Sequence, residues 1–353
     1  MEKINVAILF GGDSDESKVS KITGKQIFKA IDKDKYNVYP IFIDKELNWF
    51  LMNFKTEKME QIFLERKKNL FYFKNRLKSK IKIHCAINAV HGGIGENGTL
   101  YTTLKQHKIF CSSSSLVPSV LTLEKNLTKL ILEKHNFNLL PYIVIKKDYL
   151  HKSKEIITNF VSTTHFPIVV KPNNSGSSLG VSFAKNINEL ENAINIAFNF
   201  SDFIILEKGI KKVKEFNCSA FKFKQEILTS EIEKPLHKGN ILTYQDKYGD
   251  KFLNKLSSNN DDKERENNTK EFPAKIDRKL KENIQTLTKK AYSIFNLSGI
   301  VRCDFIYYNK RLYLNEINSV PGSLSSYLWK NSGFTFTTLL DSIISETIHN
   351  TSI

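Results

Sequence analysis

A chain of 353 residues, 41% hydrophobic and 25% charged, has room for two or three packed units and the balance of a soluble globular protein, which excludes a fibrous or disordered polypeptide. No run nears the roughly 18 uninterrupted apolar residues of a membrane span, and the opening MEKINVAILFGG is too short in apolar length for a signal peptide, so a cytoplasmic location and no membrane partner are expected. The net charge of +16 invites a nucleic-acid partner, but lysines spread along the whole chain fit a solvated surface better, and no nucleic acid is expected.

Near the start, NVAILFGG reads as a buried strand ending in glycines, and YNVYPIFID (Tyr36 to Asp44) as a second. The stretch FLERKKNLFYFKNRLKSKIKIH (Phe63 to His84) interleaves aromatics with Lys and Arg, the pattern of a solvated helix or hairpin face. CAINAVHGG (Cys85 to Gly93) and KIFCSSS (Lys108 to Ser114) add two strands. Strands alternating with helical patterns predict an open parallel sheet, which binds ligands beyond the carboxyl ends of its strands. Gly11-Gly12 and Gly92-Gly93 fall at those ends. Cys85, Cys111, Cys218 and Cys303 form no CxxC pair and are expected as reduced thiols.

Further along, one helix is expected over SLVPSVLTLEKNLTKLILEKH, then an extended LLPYIVIKKD and the strand FPIVVK. INELENAINIAFNF has helical periodicity and FIILEKGI reads as a strand. The polar region from about Leu236 to Asn268, with SSNNDDKERENN inside it, is the expected lid. A helix near Asp277 to Phe295, a hairpin and a last helix near Thr335 to His349 complete the chain. The division expected is 1–112, 113–205 and 206–353.

Two stretches carry chemistry. In VVKPNNSGSSLGVS, Lys171 closes an apolar run ahead of a Ser/Gly loop, unlike a Walker loop, where the lysine follows the glycines. Backbone N–H groups and hydroxyls there could wrap phosphate, or the loop could be a turn-rich surface hairpin. In GIVRCDFIYYNKRLYLNEINSVPG, a three-residue turn at Asn309 to Arg311 sets Asp304 opposite Glu316 and Arg302 opposite Asn318. Side chains directly opposite share a face, so Cys303, Phe305 and Ile317 face a core. An Asp/Glu/Asn oxygen cluster suits Mg²⁺, and Arg302 suits a phosphoryl group or oxyanion.

The order and spacing of these motifs resemble the D-alanine–D-alanine ligases of the ATP-grasp superfamily, over nearly the whole chain. GGDSDESKVS resembles the family's first loop, implying that Glu16 positions the first D-alanine; HGGIGENG resembles HGxxGEDG, with Glu96 near that site. LEKNLTK resembles the MDK segment, making Lys125 a phosphate ligand. VVKPNNSGSSLGVS resembles the KPxxxGSSxG loop, with Lys171 on phosphates and Ser177 and Ser178 near the reacting groups. LEKGIKKVKEF resembles the adenine hinge, implying Glu207 toward the base and Glu215 toward the ribose. YQDKYG resembles the lid motif, with Lys247 on phosphate and Tyr248 closing the site. VRCDF and NEINSVPGS resemble the metal hairpin: Arg302 the charge stabiliser, Asp304, Glu316 and Asn318 the ligands of two Mg²⁺ (or Mn²⁺), Gly322 an oxyanion donor.

The resemblance implies an α/β ATP-grasp fold behind a Rossmann-like N-terminal domain, ATP and D-alanine as substrates, a D-alanyl phosphate intermediate, and a homodimer. Related ligases that make the lactate depsipeptide carry His where Tyr248 stands. Asn97, Ser17 and Tyr101 depart from the usual Asp, His/Arg and Gln, and the hinge carries one extra residue before Glu215. The family's serine for the second substrate's carboxylate aligns with Tyr327, leaving Ser323, Ser325 or Ser326 as substitutes, of which Ser326 is taken here.

Overall fold

Strand β1 (Ile4–Gly11) is buried from Val6 onward, as a strand covered on both faces must be. It pairs in parallel with β2 (Tyr36–Ile43) and, on its other side, with β7 (Cys85–Asn88), which pairs in parallel with β8 (Phe110–Cys111). Between β2 and β7 run β3 (Trp49–Met52), β4 (Met59–Leu64), β5 (Leu70–Phe73) and β6 (Arg76–Lys82), all antiparallel. The sheet of order β6-β5-β4-β3-β2-β1-β7-β8 is therefore mixed, not the open parallel sheet expected. Short links such as Asn53–Lys58 are the reason: a parallel neighbour needs a crossover of about a dozen residues, and these links allow only hairpins. The basic aromatic stretch lies in this meander and forms strands rather than a helix.

The computed structural model describes residues 3–65, 70–73, 76–211, 213–236 and 270–349. Its second sheet is antiparallel, in the order β11-β10-β12-β9, from β9 (Tyr142–Lys146), β10 (Ile168–Pro172), β11 (Ser182–Ala184) and β12 (Phe203–Lys208). Helices Lys154–Thr164 and Ile187–Ala197 cover its apolar face through Ile157, Phe160, Leu190 and Ile194. The third sheet has the order β15-β14-β13-β16-β17: β13 (Lys214–Phe223), β14 (Glu226–Pro235), β15 (Lys270–Glu271), β16 (Val301–Tyr308) and β17 (Arg311–Asn318). Helix Arg278–Ile294 covers it, and Phe216, Ile284, Cys303 and Phe305 share its core. Among the described residues no helix is long and apolar enough to cross a membrane. All four cysteines are free, three of them buried and Cys111 partly so.

The single helix expected over 115–135 is two, Leu116–Leu123 and Lys125–Lys134, broken at Glu124 with ψ 97°. No Gly or Pro marks this break. It follows from a competing hydrogen bond: the Lys125 N–H donates to the Asn173 carbonyl (3.0 Å) across the cleft instead of continuing a helix.

The C-terminal end of the chain packs back onto the first sheet. Trp329 and Leu328, in the 3₁₀ segment Gly322–Ser332, share a core with Phe10, Ile27 and Leu339. Trp329 meets Phe221 edge-on (ring centroids 4.8 Å apart) and donates its indole N–H to Ser219 Oγ at 3.2 Å. Polar contacts set the register of this docking. His91 Nδ1 lies 2.8 Å from the Val320 carbonyl, which can only accept, so Nδ1 carries the proton and Nε2 accepts from Thr23 Oγ1 at 2.8 Å. The Thr23 oxygen in turn accepts the Ser323 N–H at 3.2 Å. Two ends of the turn around Gly322 are thus tied to the N-terminal sheet and its first helix.

His91 is 3% exposed, and burial holds its pKa down at about 4, with Arg302 adding to the fall and the Val320 contact opposing it. As pH drops from about 6.5 to about 4, the unfolded chain takes up a proton that the folded chain refuses. Stability should fall over that window by about 3 kcal/mol from this one residue. Denaturant titrations at about pH 7 and about pH 4 should show the loss in the wild type and a smaller one in His91→Gln.

Candidate active site

The break at Glu124 places Lys125 at the first turn of its helix, facing the Ser/Gly loop. Asn173 clamps the two together: its Oδ1 accepts the Asn126 N–H at 2.8 Å, and its amide donates to Glu124 and to Asn126 Oδ1. Lys125 Nζ donates to the Ser175 carbonyl at 2.6 Å. Burial lowers its pKa, while the nearby Glu316 and Glu96 work against that and Lys171 adds to it. A helix N-terminus, a loop rich in backbone N–H groups and a buried ammonium make an anion-binding corner. The phosphate-loop alternative, left open against a surface hairpin, is the one this arrangement favours.

Lys171, at the end of β10, donates to Glu207 Oε2 at 2.5 Å and to Asn315 Oδ1 at 3.0 Å. Glu207 lies on the neighbouring β12, opposite Val169, is 2% exposed, and also accepts from Lys129. Burial alone would raise the Glu207 carboxyl, but Lys129 and Lys171 hold it down at about 2. For Lys171 burial is the largest single influence and acts to lower its pKa; Glu207, with Glu316 and Glu215, outweighs it, and the net direction is up. Lys129 and Asn315 were not anticipated. Lys129 is four residues after Lys125, on the same helix face, and that spacing was the available signal.

The hairpin turn is two residues, Asn309 and Lys310, with φ of +48° and +60°, not the expected three. Both central residues in the left-handed region mark the tight hairpin turn that Asn tolerates. The expected pairing survives because of a bulge: Tyr308 faces Arg311 and Phe305 faces Leu314, but beyond the shift Asp304 faces Glu316 and Arg302 faces Asn318. The extra residue is Asn315, and the bulge aims it at Lys171, a use of bulges common beside functional sites. Arg302 grips Asp304 with a two-pronged contact, Nε to Oδ1 at 2.6 Å and Nη2 to Oδ2 at 2.7 Å. Asn318 Nδ2 donates to Asp304 Oδ2 at 3.0 Å. Cys303, Phe305 and Ile317 are buried on the opposite face, as expected. Among the described residues no group of three or more His, Cys, Asp or Glu side chains gathers as a metal cluster. The hairpin instead offers two carboxylates and an amide oxygen, a hard-oxygen set that fits Mg²⁺.

Glu16, just ahead of helix Ser17–Ala30, is 8% exposed and accepts from the Ser177 hydroxyl. Its carboxylate fits because two neighbours lack side chains: a Cβ on Gly92 would come within 2.8 Å of Glu16 Oε2, and one on Gly176 within 3.0 Å. Ser177 and Ser178 both adopt positive φ, which turns the loop over Glu16. Glu96 accepts the Gly92 N–H at 2.9 Å, and burial, helped by Glu316, pushes its carboxyl up to about 7. Glu215 sits on β13 opposite Ile306, and its charge supports Lys171. Gly322 opens the 3₁₀ segment, and a Cβ there would meet nothing within 4 Å. Ser326 lies on the same segment. Lys247 and Tyr248 lie outside the described residues. Tyr327 turns away to Glu233 on β14, donating its hydroxyl at 3.2 Å.

Comparison with known proteins agrees over the length of the chain. The family model described as D-ala D-ala ligase N-terminus matches residues 5–114, and that described as D-ala D-ala ligase C-terminus matches residues 131–345. The D-alanine–D-alanine ligase of Thermosipho africanus is 34% identical over 364 residues, covering 97% of this chain and 92% of the relative. The D-alanine–D-alanine ligase structure from Helicobacter pylori superposes with a TM-score of 0.75 at 29% identity, covering 97% of this chain and 98% of that one. The Bacillus anthracis ligase solved in complex with ATP shares the fold, with a TM-score of 0.71 at 24% identity and 99% and 98% coverage. With both halves matched and the cleft assembled from the same motifs, this chain belongs to the D-alanine–D-alanine ligases, ATP-dependent ligases of the ATP-grasp fold.

Proposed function

We propose that this chain joins two D-alanines into D-alanyl-D-alanine for cell-wall precursor synthesis, with ATP as the phosphoryl donor. The observation that carries this is the meeting of Lys125, Lys171, Arg302 and Asp304, drawn from three separate parts of the sequence, around one cleft. Phosphoryl transfer needs positioning and charge neutralisation more than covalent help. Lys125, Lys171 and, from the lid, Lys247 hold the triphosphate, while Glu207 and Glu215 take the adenine and ribose. Glu16, held by Ser177, fixes the ammonium of the first D-alanine so that its carboxylate meets the γ-phosphate. Ser178 adds a hydroxyl to the phosphate loop, and Tyr248 closes the lid and excludes the water that would hydrolyse an acyl phosphate.

The second D-alanine then attacks through its amine, and phosphate leaves toward the lysines. The oxyanion formed on the carbonyl is met by the Arg302 guanidinium and the Gly322 N–H, with Ser326 toward the second carboxylate. Asp304, Glu316 and Asn318 would hold two Mg²⁺ (or Mn²⁺), which when bound neutralise phosphate charge. The same proposal takes the units as 1–112, 113–205 and 206–353, the location as cytoplasmic, and the working form as a homodimer, the last checked by sedimentation.

Phosphate release from ATP should rise on adding D-alanine, with dipeptide formed in equal amount; stimulation by a different amino acid alone would point to another carboxylate and amine pair. Arg302→Lys keeps the charge but loses the fork, and should lower kcat about a hundredfold with little change in the KM for ATP. Asp304→Asn should weaken the Mg²⁺ dependence and turnover together while circular dichroism stays native, and an unchanged Mg²⁺ titration would contradict the ligand assignment. With Tyr248 in the lid, D-alanine should be preferred as second substrate, so comparable turnover with D-lactate at neutral pH would count against that role.

A further inference from the structure

One carboxylate in the cleft serves two ammonium groups. Glu207 accepts from Lys129 on Oε1 and from Lys171 on Oε2, and its own side chain is 3% exposed. The two lysines differ in what else they can reach. Lys171, at the end of β10, is 14% exposed, and its ammonium also donates to Asn315 Oδ1 at 3.0 Å. Lys129 is 4% exposed and stands one turn after Lys125, about 6 Å further along the helix. Its ammonium lies 4.8 Å from the centroid of the Tyr142 ring, and Tyr142 is the β9 residue opposite Glu207. Carboxylate and aromatic face together keep Lys129 where it is.

A lysine that is to hold phosphate has to change partners. Lys171 must leave Glu207 to do so, and stripping a buried carboxylate of its only cation is costly. Here a second cation stays behind. Lys129 and Lys171 also repel each other across the carboxylate they share, which loosens the more exposed of the two.

We propose that Lys129 is a positioning residue for the nucleotide: it never touches the phosphates, and by staying on Glu207 it leaves Lys171 free to move onto them. This rests on Lys171 being a phosphate ligand, as proposed above. A lone pair of Lys171 and Glu207 would satisfy itself and hold the ammonium away from the triphosphate. With Lys129 in place the trio carries a surplus positive charge, which the triphosphate neutralises. A nucleoside without phosphate does not draw Lys171 off Glu207, so its binding does not depend on Lys129.

The test measures the Kd of ATP with Mg²⁺, and of adenosine, on the full-length enzyme by calorimetry. Lys129→Met keeps an unbranched chain over Tyr142 but removes the charge. It should weaken ATP about a hundredfold and leave adenosine within about twofold. Adding Glu207→Gln frees Lys171 again, so the double variant should bind ATP as tightly as Glu207→Gln alone. Equal losses for ATP and adenosine in Lys129→Met would mean that Lys129 only shapes the adenine pocket, and would overturn the proposal. So would an ATP affinity that does not fall. If circular dichroism shows that Lys129→Met does not fold, Glu207→Gln and the double variant decide: equal ATP affinities uphold the proposal and a difference overturns it. Lys171→Met tests the reading underneath. An equal loss of ATP and adenosine there means that Lys171 is no phosphate ligand, and this inference falls with that reading. A loss confined to ATP in Lys171→Met, with none in Lys129→Met, overturns this inference alone.

Discussion

Lys171 is the point where the cleft is held together. It lies at the end of β10, ion-paired to Glu207 of β12, and it also donates to Asn315 on β17 of the third sheet. One ammonium therefore links the second and third sheets across the cleft. Three charges, Lys129, Glu207 and Lys171, are taken out of water there, which is tolerable only because each is matched. Removing one member of such a group leaves an uncompensated buried charge, at about 3–5 kcal/mol. The same matching outweighs burial at Lys171, whose pKa is raised, while at Lys129 burial prevails and the net direction is down.

Around this link the N-terminal sheet is docked by contacts between residues far apart in sequence. Glu16 reaches Ser177 through gaps left by Gly92 and Gly176. His91 and Thr23 hold both sides of the Gly322 turn, and Trp329 fills the core behind it. An apolar core supplies the bulk of such an interface and the neutral histidine its register. A charged imidazolium could not accept from Thr23, so the docking depends on burial keeping His91 unprotonated. The carboxylates differ in how they are held: Asp304 is gripped by a fork, Glu96 is pushed toward neutrality, and Glu233 pairs through Oε1 with Asn217 and Tyr327 and through Oε2 with the Lys270 ammonium at 3.8 Å.

Much of the site was readable from residue types and spacing. The face pattern of VRCDF against NEIN put Arg302, Asp304, Glu316 and Asn318 on one surface, and the structure keeps them there. The turn did not follow: a two-residue turn and a bulge at Asn315 together give the pairing that a three-residue turn would have given. Hydrophobic alternation fixes which face a strand buries but not where an extra residue is inserted, so Asn315 stayed hidden. Strands β13 and β14 were missed for a related reason. KEFNCSAFKF carries Lys, Asn and Ser that look like interruptions until one sees that Asn217 and Ser219 face the cleft and the Trp329 indole.

The sequence by itself determined which polar side chains share the hairpin face, the apolar runs that become strands, and the separation of the Ser/Gly loop from the carboxylate hairpin, because these rest on local periodicity and on residue type. Only the tertiary structure decided that the helix breaks at Glu124, that the first sheet continues as an antiparallel meander, that Lys129 shares Glu207 with Lys171, and that Tyr327 turns to Glu233. The meander comes from short links between neighbouring strands; each of the others is settled by a partner dozens of residues away. A backbone N–H or a buried charge takes the best acceptor in space, and nearness along the chain does not say which that is.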